Sequence, residues 1–150
     1  MLVNSKALLK ADSTIADGEK KDCVVYATAT AFDLPYDQAH SIVADKFGRE
    51  NNKGTNTAKL TQGLSNMIEG QESINGKTVS QVVDLSKSYK VHGTIFLRKP
   101  RVYSFAKQYP QGTYLILTRS HALTIKDGIV YDNKSKGSEK ALINQAYKIG

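Results

Sequence analysis

The chain has 150 residues, of which 40% are hydrophobic; this length and composition fit one globular domain over residues 1–150 and exclude a disordered polypeptide. The net charge of +7 would favour anionic partners, but the lysines are scattered without interleaved aromatic residues, so a solvated basic surface is favoured over a nucleic-acid partner. The single cysteine, Cys23, excludes an intrachain disulfide, and no apolar run reaches transmembrane or signal-peptide length, so we predict a cytoplasmic protein without a membrane partner.

The first half of the chain predicts helices after a polar, extended or briefly helical lead-in over residues 1–21. Asp22 is a good N-cap residue for a helix over CVVYATATAF. This segment is apolar nearly all round, so the helix is predicted to lie buried at the centre of the fold. Helical spacing of apolar residues and flanking Pro or Gly predict the other elements of this half: helices over 36–47 and 57–67, separated by a loop over 48–56.

The middle of the chain predicts shorter elements, separated by Gly and Pro. Thr78 is positioned to cap a fourth helix over VSQVVDLSKSY. The sequence TIFL predicts a strand over 94–97, and a fifth helix is predicted over about 101–109, between Pro100 and Pro110.

Residues 113–133, TYLILTRSHALTIKDGIVYDN, predict three short strands. Asp127-Gly128 between alternating apolar residues indicates a two-residue hairpin turn, because both central positions of such a turn favour positive φ. The turn would place Lys126 opposite Ile129. A polar loop and a final strand over 143–149 follow. We therefore predict an α+β fold in which a buried N-terminal helix and further helices pack on one side of a C-terminal antiparallel sheet.

Three residues of this arrangement have the chemistry of a catalytic site. Alternation places His121 and Asp132 on one face of the hairpin as diagonal neighbours, with Cβ atoms roughly 7 Å apart, so the carboxylate can orient the imidazole. Asn133 is an alternative partner, but alternation puts it on the opposite face. Cys23 lies at a helix N-terminus, where the N–H groups and the macrodipole favour the thiolate. The predicted catalytic residues are Cys23, His121 and Asp132.

This order of a helix-borne cysteine, a strand-borne histidine and an aspartate on the next strand resembles the papain-like cysteine peptidase superfamily. The Asp-Cys pair and the loop and helix GTNTAKL are similar to its bacteriocin-processing peptidase branch. The segments KKDCVVYATATAF, RVYSFAKQYPQGTYLI and SHALTIKDGIVYDN resemble uncharacterised bacteriophage-encoded members. The resemblance covers most of residues 20–134, and it implies a central helix on a curved antiparallel sheet, with Cys23 as nucleophile, His121 as base and Asp132 as orienting residue.

The resemblance also identifies a difference before the cysteine. Papain-like enzymes usually carry a glutamine there that helps to form the oxyanion hole, whereas ADGEKK contains neither Gln nor Asn. Backbone N–H groups or another side chain would have to bind the oxyanion in its place.

Three function classes stay open from the sequence. The first is a thiol hydrolase that cleaves a peptide, isopeptide or side-chain amide bond in a protein or peptide, in the host cytoplasm if the chain is phage-encoded. The second is a catalytically inactive papain-like protein that binds and inhibits a host protein, and the missing upstream Gln or Asn favours it. By itself, a lone cysteine on an apolar helix is most often a packing residue. The third, least favoured, is a basic nucleic-acid-associated protein. Three dispersed histidines match no metal-site spacing, so we predict no metal and no cofactor.

Overall fold

The computed structural model describes residues 2–9, 22–50, 57–82, 85, 87–119, 121–133 and 138–150. These residues form a mixed α/β fold with five α-helices, a seven-stranded sheet and a separate two-stranded hairpin. Most of the predicted lead-in, residues 51–56 of the loop over 48–56, residues 83, 84 and 86 of the predicted fourth helix, and the start of the polar loop after residue 133 lie outside this part of the chain. None of the described helices is long and apolar enough to cross a membrane.

Four of the five described helices lie in the first half of the chain, and all described strands but one lie after them. The helices are α1 (Ser5–Leu9), α2 (Cys23–Ala31), α3 (Tyr36–Phe47), α4 (Thr57–Glu69) and α5 (Val102–Gln108), with a short 3-10 helix at Ser138–Lys140. The strands are β1 (Leu2–Asn4), β2 (Ser73–Ile74), β3 (Lys77–Gln81), β4 (Lys87–Val91), β5 (Thr94–Arg98), β6 (Thr113–Leu117), β7 (Ala122–Lys126), β8 (Ile129–Asp132) and β9 (Gln145–Ile149). The five predicted helices therefore include four that are observed, over similar bounds.

The large sheet has the strand order β1-β8-β7-β6-β9-β3-β2, and β1 runs parallel to β8 while the other neighbours are antiparallel. Strand β1 was not predicted as a separate element. Its three residues are too short for a detectable pattern, and they become a strand only because the outer edge of β8 is available for pairing.

The helices cover both faces of the sheet, so the predicted packing on one side is wrong. On β7, Ala122 belongs to the core cluster that contains α2, whereas Leu123 and Ile125 belong to the cluster that contains α5. Thr124 also faces α2 and donates a hydrogen bond from Oγ1 to the Ala27 carbonyl oxygen at 2.7 Å. Because both faces of the strand are buried, each must be covered by a helix or another part of the chain.

The predicted turn between β7 and β8 is confirmed. Asp127 and Gly128 have φ values of 51° and 77°, and Lys126 pairs with Ile129 as the two-residue turn requires. The turn between β2 and β3 has the same backbone geometry, with φ values of 52° at Asn75 and 76° at Gly76.

The predicted fourth helix, over VSQVVDLSKSY, is wrong. Its first residues belong to β3, and its last residues belong to β4. Within β3, Val79 is buried between exposed neighbours, which is the period-two alternation of a strand. Pairing with β2 through the Asn75-Gly76 turn and with β9 on the other side outweighs the capping signal of Thr78, which is exposed in the strand.

Replacing Thr124 with valine tests the contact between α2 and the sheet. The variant keeps the side-chain shape but removes the buried hydrogen bond to Ala27, so we expect the free energy of unfolding to fall by about 1 kcal/mol in urea denaturation. Thr94→Val, at an exposed strand position, is the matched control and should change it by less than about 0.5 kcal/mol. Equal stability of the two variants would contradict a role for this bond.

Candidate active site

Cys23 is the first residue of α2, and its side chain is partly exposed. The preceding residue, Asp22, is the N-cap residue as predicted, but its buried side chain makes no capping hydrogen bond to the helix. Its carboxylate instead accepts a hydrogen bond from the Tyr36 hydroxyl at 2.6 Å, while its carbonyl accepts the Tyr26 N–H at 3.1 Å. Asp22 thus fixes the beginning of α2, and with it Cys23, to the first residue of α3.

His121 and Asp132 form a short hydrogen bond between Nε2 and Oδ1 of 2.6 Å. His121 immediately precedes β7 and Asp132 ends β8, so the register of this hairpin brings them together. The Asp132 side chain is fully buried, and 13% of the His121 side chain is exposed. The neighbouring Asn133 does not take this place. The partner of the imidazole is the residue that strand alternation selected.

The thiol of Cys23 lies within hydrogen-bonding reach of the same imidazole. Because Nε2 is engaged by Asp132, Nδ1 is the ring nitrogen that can face the sulfur. The backbone N–H groups of Ala122 and Val24 also donate to Sγ. The structure therefore joins Cys23, His121 and Asp132 in one continuous hydrogen-bonded series.

The charges of this series are mutually stabilising. Burial raises the pKa of Cys23, but the hydrogen bond from His121, the two backbone N–H groups and the imidazolium charge outweigh it, so the pKa falls below its ordinary value of 9.0. Burial lowers the pKa of His121, but the hydrogen bond to Asp132, the contact with Cys23 and their negative charges raise it from 6.5 to about 9. The arrangement favours a thiolate next to an imidazolium.

Cys23 lies on a helix that covers one face of the sheet, whereas strand alternation directs the His121 side chain to the other face. Helix α2 packs on the side of Ala122, whereas strand alternation assigns His121 to the side of Leu123, which faces α5. They meet because His121 lies just beyond the end of β7. There Thr118 holds the His121 carbonyl oxygen with its N–H at 2.9 Å and its hydroxyl at 3.2 Å.

Ser138 is a member of the site that sequence reasoning missed. It is buried, it begins the 3-10 helix, and its Oγ donates to Asp132 Oδ2, so both carboxylate oxygens are engaged. The sequence KSKGSEK reads only as a polar loop, and no spacing relates this serine to the aspartate. The contact arises from the path of the chain after β8.

A cleft of about 710 Å³ lies near the other end of α2, lined among others by Thr30, Pro35 and Lys126. Thr30 is about 10 Å along the helix axis from Cys23, and none of the three predicted catalytic residues lines the cleft. Its charged residues, Asp33 and Lys126, form an exposed ion pair at 2.7 Å. The candidate site is therefore the contact between the Cys23 thiol and the His121 imidazole, and not this cleft.

The other histidines lie elsewhere. His40 is on α3 against the ring of Tyr36, and His92 is exposed in the turn between β4 and β5. In the part of the chain that the structure describes, no group of three His, Cys, Asp or Glu side chains could hold a metal ion.

No protein-family model, no curated protein and no solved structure matches this chain. Function must therefore be inferred from the geometry and electrostatics of the site itself.

Replacing His121 with asparagine tests the activation of the thiol. Without the imidazole, burial dominates and the pKa of Cys23 rises, so alkylation by iodoacetamide at neutral pH should slow by up to about tenfold for each unit of pKa rise. The measurement is the rate against pH, whose rising midpoint should move to higher pH. His92→Asn, in an exposed turn, should leave the wild-type curve unchanged. A His121→Asn curve that overlays the wild-type one would contradict an activated thiolate.

Replacing Ser138 with alanine tests the support of Asp132. The buried Oδ2 would lose its hydroxyl donor, which we expect to lower the free energy of unfolding by about 1–3 kcal/mol. The alkylation midpoint should also move upward, by less than in His121→Asn, because a less firmly held carboxylate stabilises the imidazolium less. Ser41→Ala removes an exposed helical hydroxyl and is the control. A stability loss without any change of midpoint would show that Ser138 supports only the fold.

Proposed function

We propose that this protein is a thiol-dependent hydrolase of the peptidase or amidase type, with Cys23 as nucleophile, His121 as general acid and base, and Asp132 as orienting residue. The observation that carries the proposal is the continuous contact from the thiol through the imidazole to a buried carboxylate. A packing cysteine needs neither an imidazole nor N–H donors at its sulfur, whereas a nucleophile needs both.

The reaction follows from the charges of the resting site. The Cys23 thiolate attacks the carbonyl carbon of the substrate, and the carbon–nitrogen bond breaks as the His121 imidazolium gives its proton to the leaving amine. This leaves a thioester on Cys23. Neutral His121 then removes a proton from water, which attacks the thioester and releases the acid product, restoring thiolate and imidazolium. Asp132 holds the ring orientation and stabilises its charged form in both steps.

The beginning of α2 supplies donors for the oxyanion that forms during attack. The first N–H groups of a helix have no partner within the helix and point towards its N-terminal end. The N–H of Val24 already faces Sγ, so the main chain at this end is directed at the reacting atoms. The residues immediately upstream, up to position 21, lie outside the described chain. We propose that backbone N–H groups take the role of the absent glutamine.

The finer fold assignment is also part of this proposal. A buried helix that begins with the cysteine and packs on a sheet whose adjacent strands carry the histidine and the aspartate supports a papain-like domain. With the resemblance to phage-encoded sequences, we propose a phage protein that acts on a protein or peptide in the host cytoplasm. A purely inhibitory descendant would need the fold but no ionised thiol, so the lowered pKa of Cys23 favours catalysis.

Acyl transfer can be tested with two small model substrates. With a p-nitrophenyl ester, we expect a burst of about one nitrophenolate per protein and a thioester on Cys23 by mass spectrometry, both absent in Cys23→Ala. The burst rate should rise with pH through the lowered pKa of Cys23. With a p-nitroanilide, whose amine must be protonated, turnover should also fall as pH rises through about 9, where His121 loses its proton.

The two substrates share the attack by Cys23, but only the anilide needs its leaving group protonated, so their comparison separates the two roles. The same burst in Cys23→Ala and wild type would exclude the proposed nucleophile. Identical alkaline behaviour of ester and anilide would exclude His121 as the acid that protonates the leaving group.

A further inference from the structure

The hairpin formed by β4 and β5 is separate from the large sheet. It makes its own two-stranded sheet, closed by a turn at His92 and Gly93 with φ values of 49° and 81°. Within the described residues, neither strand pairs on its outer edge with another strand. An isolated hairpin of this kind is marginally stable by itself and exposes unpaired backbone donors and acceptors.

The hairpin and its exit are strongly basic. The segment KSYKVHGTIFLRKPR, residues 87–101, contains no Asp or Glu, and its basic residues are Lys87, Lys90, Arg98, Lys99 and Arg101. Backbone pairing places Lys87 directly opposite Arg98. The side chains of Lys90 and Arg98 are exposed, so their charges are available to an anionic partner. The strands also expose apolar side chains, with Val91 43% and Ile95 66% exposed.

Both ends of the hairpin segment are fixed at the end of the large sheet that carries the candidate active site. Before it, the Val82 N–H donates to the Ala146 carbonyl at 2.9 Å. After β5, the Pro100 carbonyl accepts the Ile143 N–H at 2.9 Å. The next residue along, Asn144, donates its N–H to Leu117 at 2.8 Å.

The distance from these anchors to the thiol can be traced through the strand pairing. Leu117 pairs with Ala122, whose N–H faces the Cys23 sulfur. Strands lie about 4.8 Å apart, so the anchor at Asn144 is about 10 Å from Ala122. A second connection runs through Arg101, which donates from Nη1 to the Lys140 carbonyl at 2.6 Å, two residues after Ser138.

We propose that the β4–β5 hairpin binds an acidic, extended stretch of the protein substrate and holds it beside Cys23. This inference rests on the proposed hydrolase function and names its substrate class. The cations match the charge of Asp- and Glu-rich segments, and the free strand edges match the backbone of an extended polypeptide. The exposed Val91 and Ile95 would contact apolar residues between the acidic ones. A nucleic acid shares only the charge, so the observations favour a polypeptide.

The test compares charge reversals at two places. Lys90→Glu/Arg98→Glu reverses two exposed cations of the hairpin, and Lys6→Glu/Lys107→Glu reverses two exposed lysines on α1 and α5, so both variants change the net charge equally. Binding of a fluorescent glutamate-rich peptide is measured by anisotropy, against a glycine-serine peptide of equal length. We expect wild type and the α1/α5 variant to prefer the acidic peptide about tenfold, and the hairpin variant to lose this preference.

Kinetics separate this proposal from the proposed function. On an acidic peptide anilide, the hairpin variant should raise KM about tenfold with kcat unchanged, because the hairpin contributes binding and not chemistry. Its Cys23 alkylation rate should equal that of wild type. Unchanged peptide binding and KM in the hairpin variant would overturn the hairpin proposal, even with a reactive thiol. Acidic-peptide binding by a protein whose thiol is unreactive would overturn the substrate role and the hydrolase function together.

Competition with duplex DNA tests whether the hairpin binds a nucleic acid instead of an acidic polypeptide. We expect it to displace the acidic peptide only weakly at physiological salt. Binding to the duplex that is tighter than peptide binding, steeply salt-dependent and lost in Lys90→Glu/Arg98→Glu would instead identify the hairpin as a nucleic-acid contact and overturn the proposal.

Discussion

The two-residue turn at Asp127 and Gly128 is the constraint on which the candidate site depends. Both residues have positive φ, and this geometry leaves one register for β7 and β8. The register decides that Asp132, and not Asn133, reaches His121. A shift by one residue would move every side chain of β8 to the other face and remove the carboxylate from the imidazole. The hydrogen bond between His121 and Asp132 is therefore set by a turn at the far end of the hairpin.

Burial and charge act against each other within the site, and the outcome decides what the thiol can do. Burial alone would keep both Cys23 and His121 neutral. The hydrogen bond and charge of Asp132 raise the pKa of His121 and so favour the imidazolium. The imidazolium in turn lowers the pKa of Cys23 and favours the thiolate. The carboxylate never contacts the sulfur, yet it determines the ionisation of the sulfur through the ring between them. Ser138, which follows β8, donates a hydrogen bond to Asp132, so the ionisation of the thiol also depends on this part of the chain.

Local chemistry made part of this structure predictable. The turn at Asp127 and Gly128, α3 between Pro35 and Gly48, and the buried α2 follow from residue types that favour one backbone conformation or one environment. The pairing of His121 with Asp132 was predictable because alternation along two strands joined by a known turn is a matter of counting. The approach of Cys23 was predictable only through the chemistry shared with known sites, since about 100 residues separate it from His121.

Other features depend on contacts that no local pattern contains. The segment around Val79 carries a helix-capping threonine and apolar residues, and pairing with β2 and β9 makes it a strand. Helix α5 packs on the face of the sheet opposite to α2, because both faces of β7 carry apolar side chains that must be covered. Asp22 has the residue type of a cap, but Tyr36 of the next helix binds its carboxylate instead. Each of these outcomes was decided by a tertiary partner that outweighed a local preference.

The position of the single cysteine also makes the folded state observable without a label. The low pKa of the Cys23 thiol requires His121, which is distant in sequence, and the backbone of Ala122 at the start of β7. In the unfolded chain these partners are absent, and the thiol returns to ordinary nucleophilicity. At neutral pH the rate at which a small electrophile modifies the protein therefore reports whether α2 has docked on the sheet. The sulfur of Cys23 thus serves as a kinetic probe of a contact between residues about 100 positions apart in the chain.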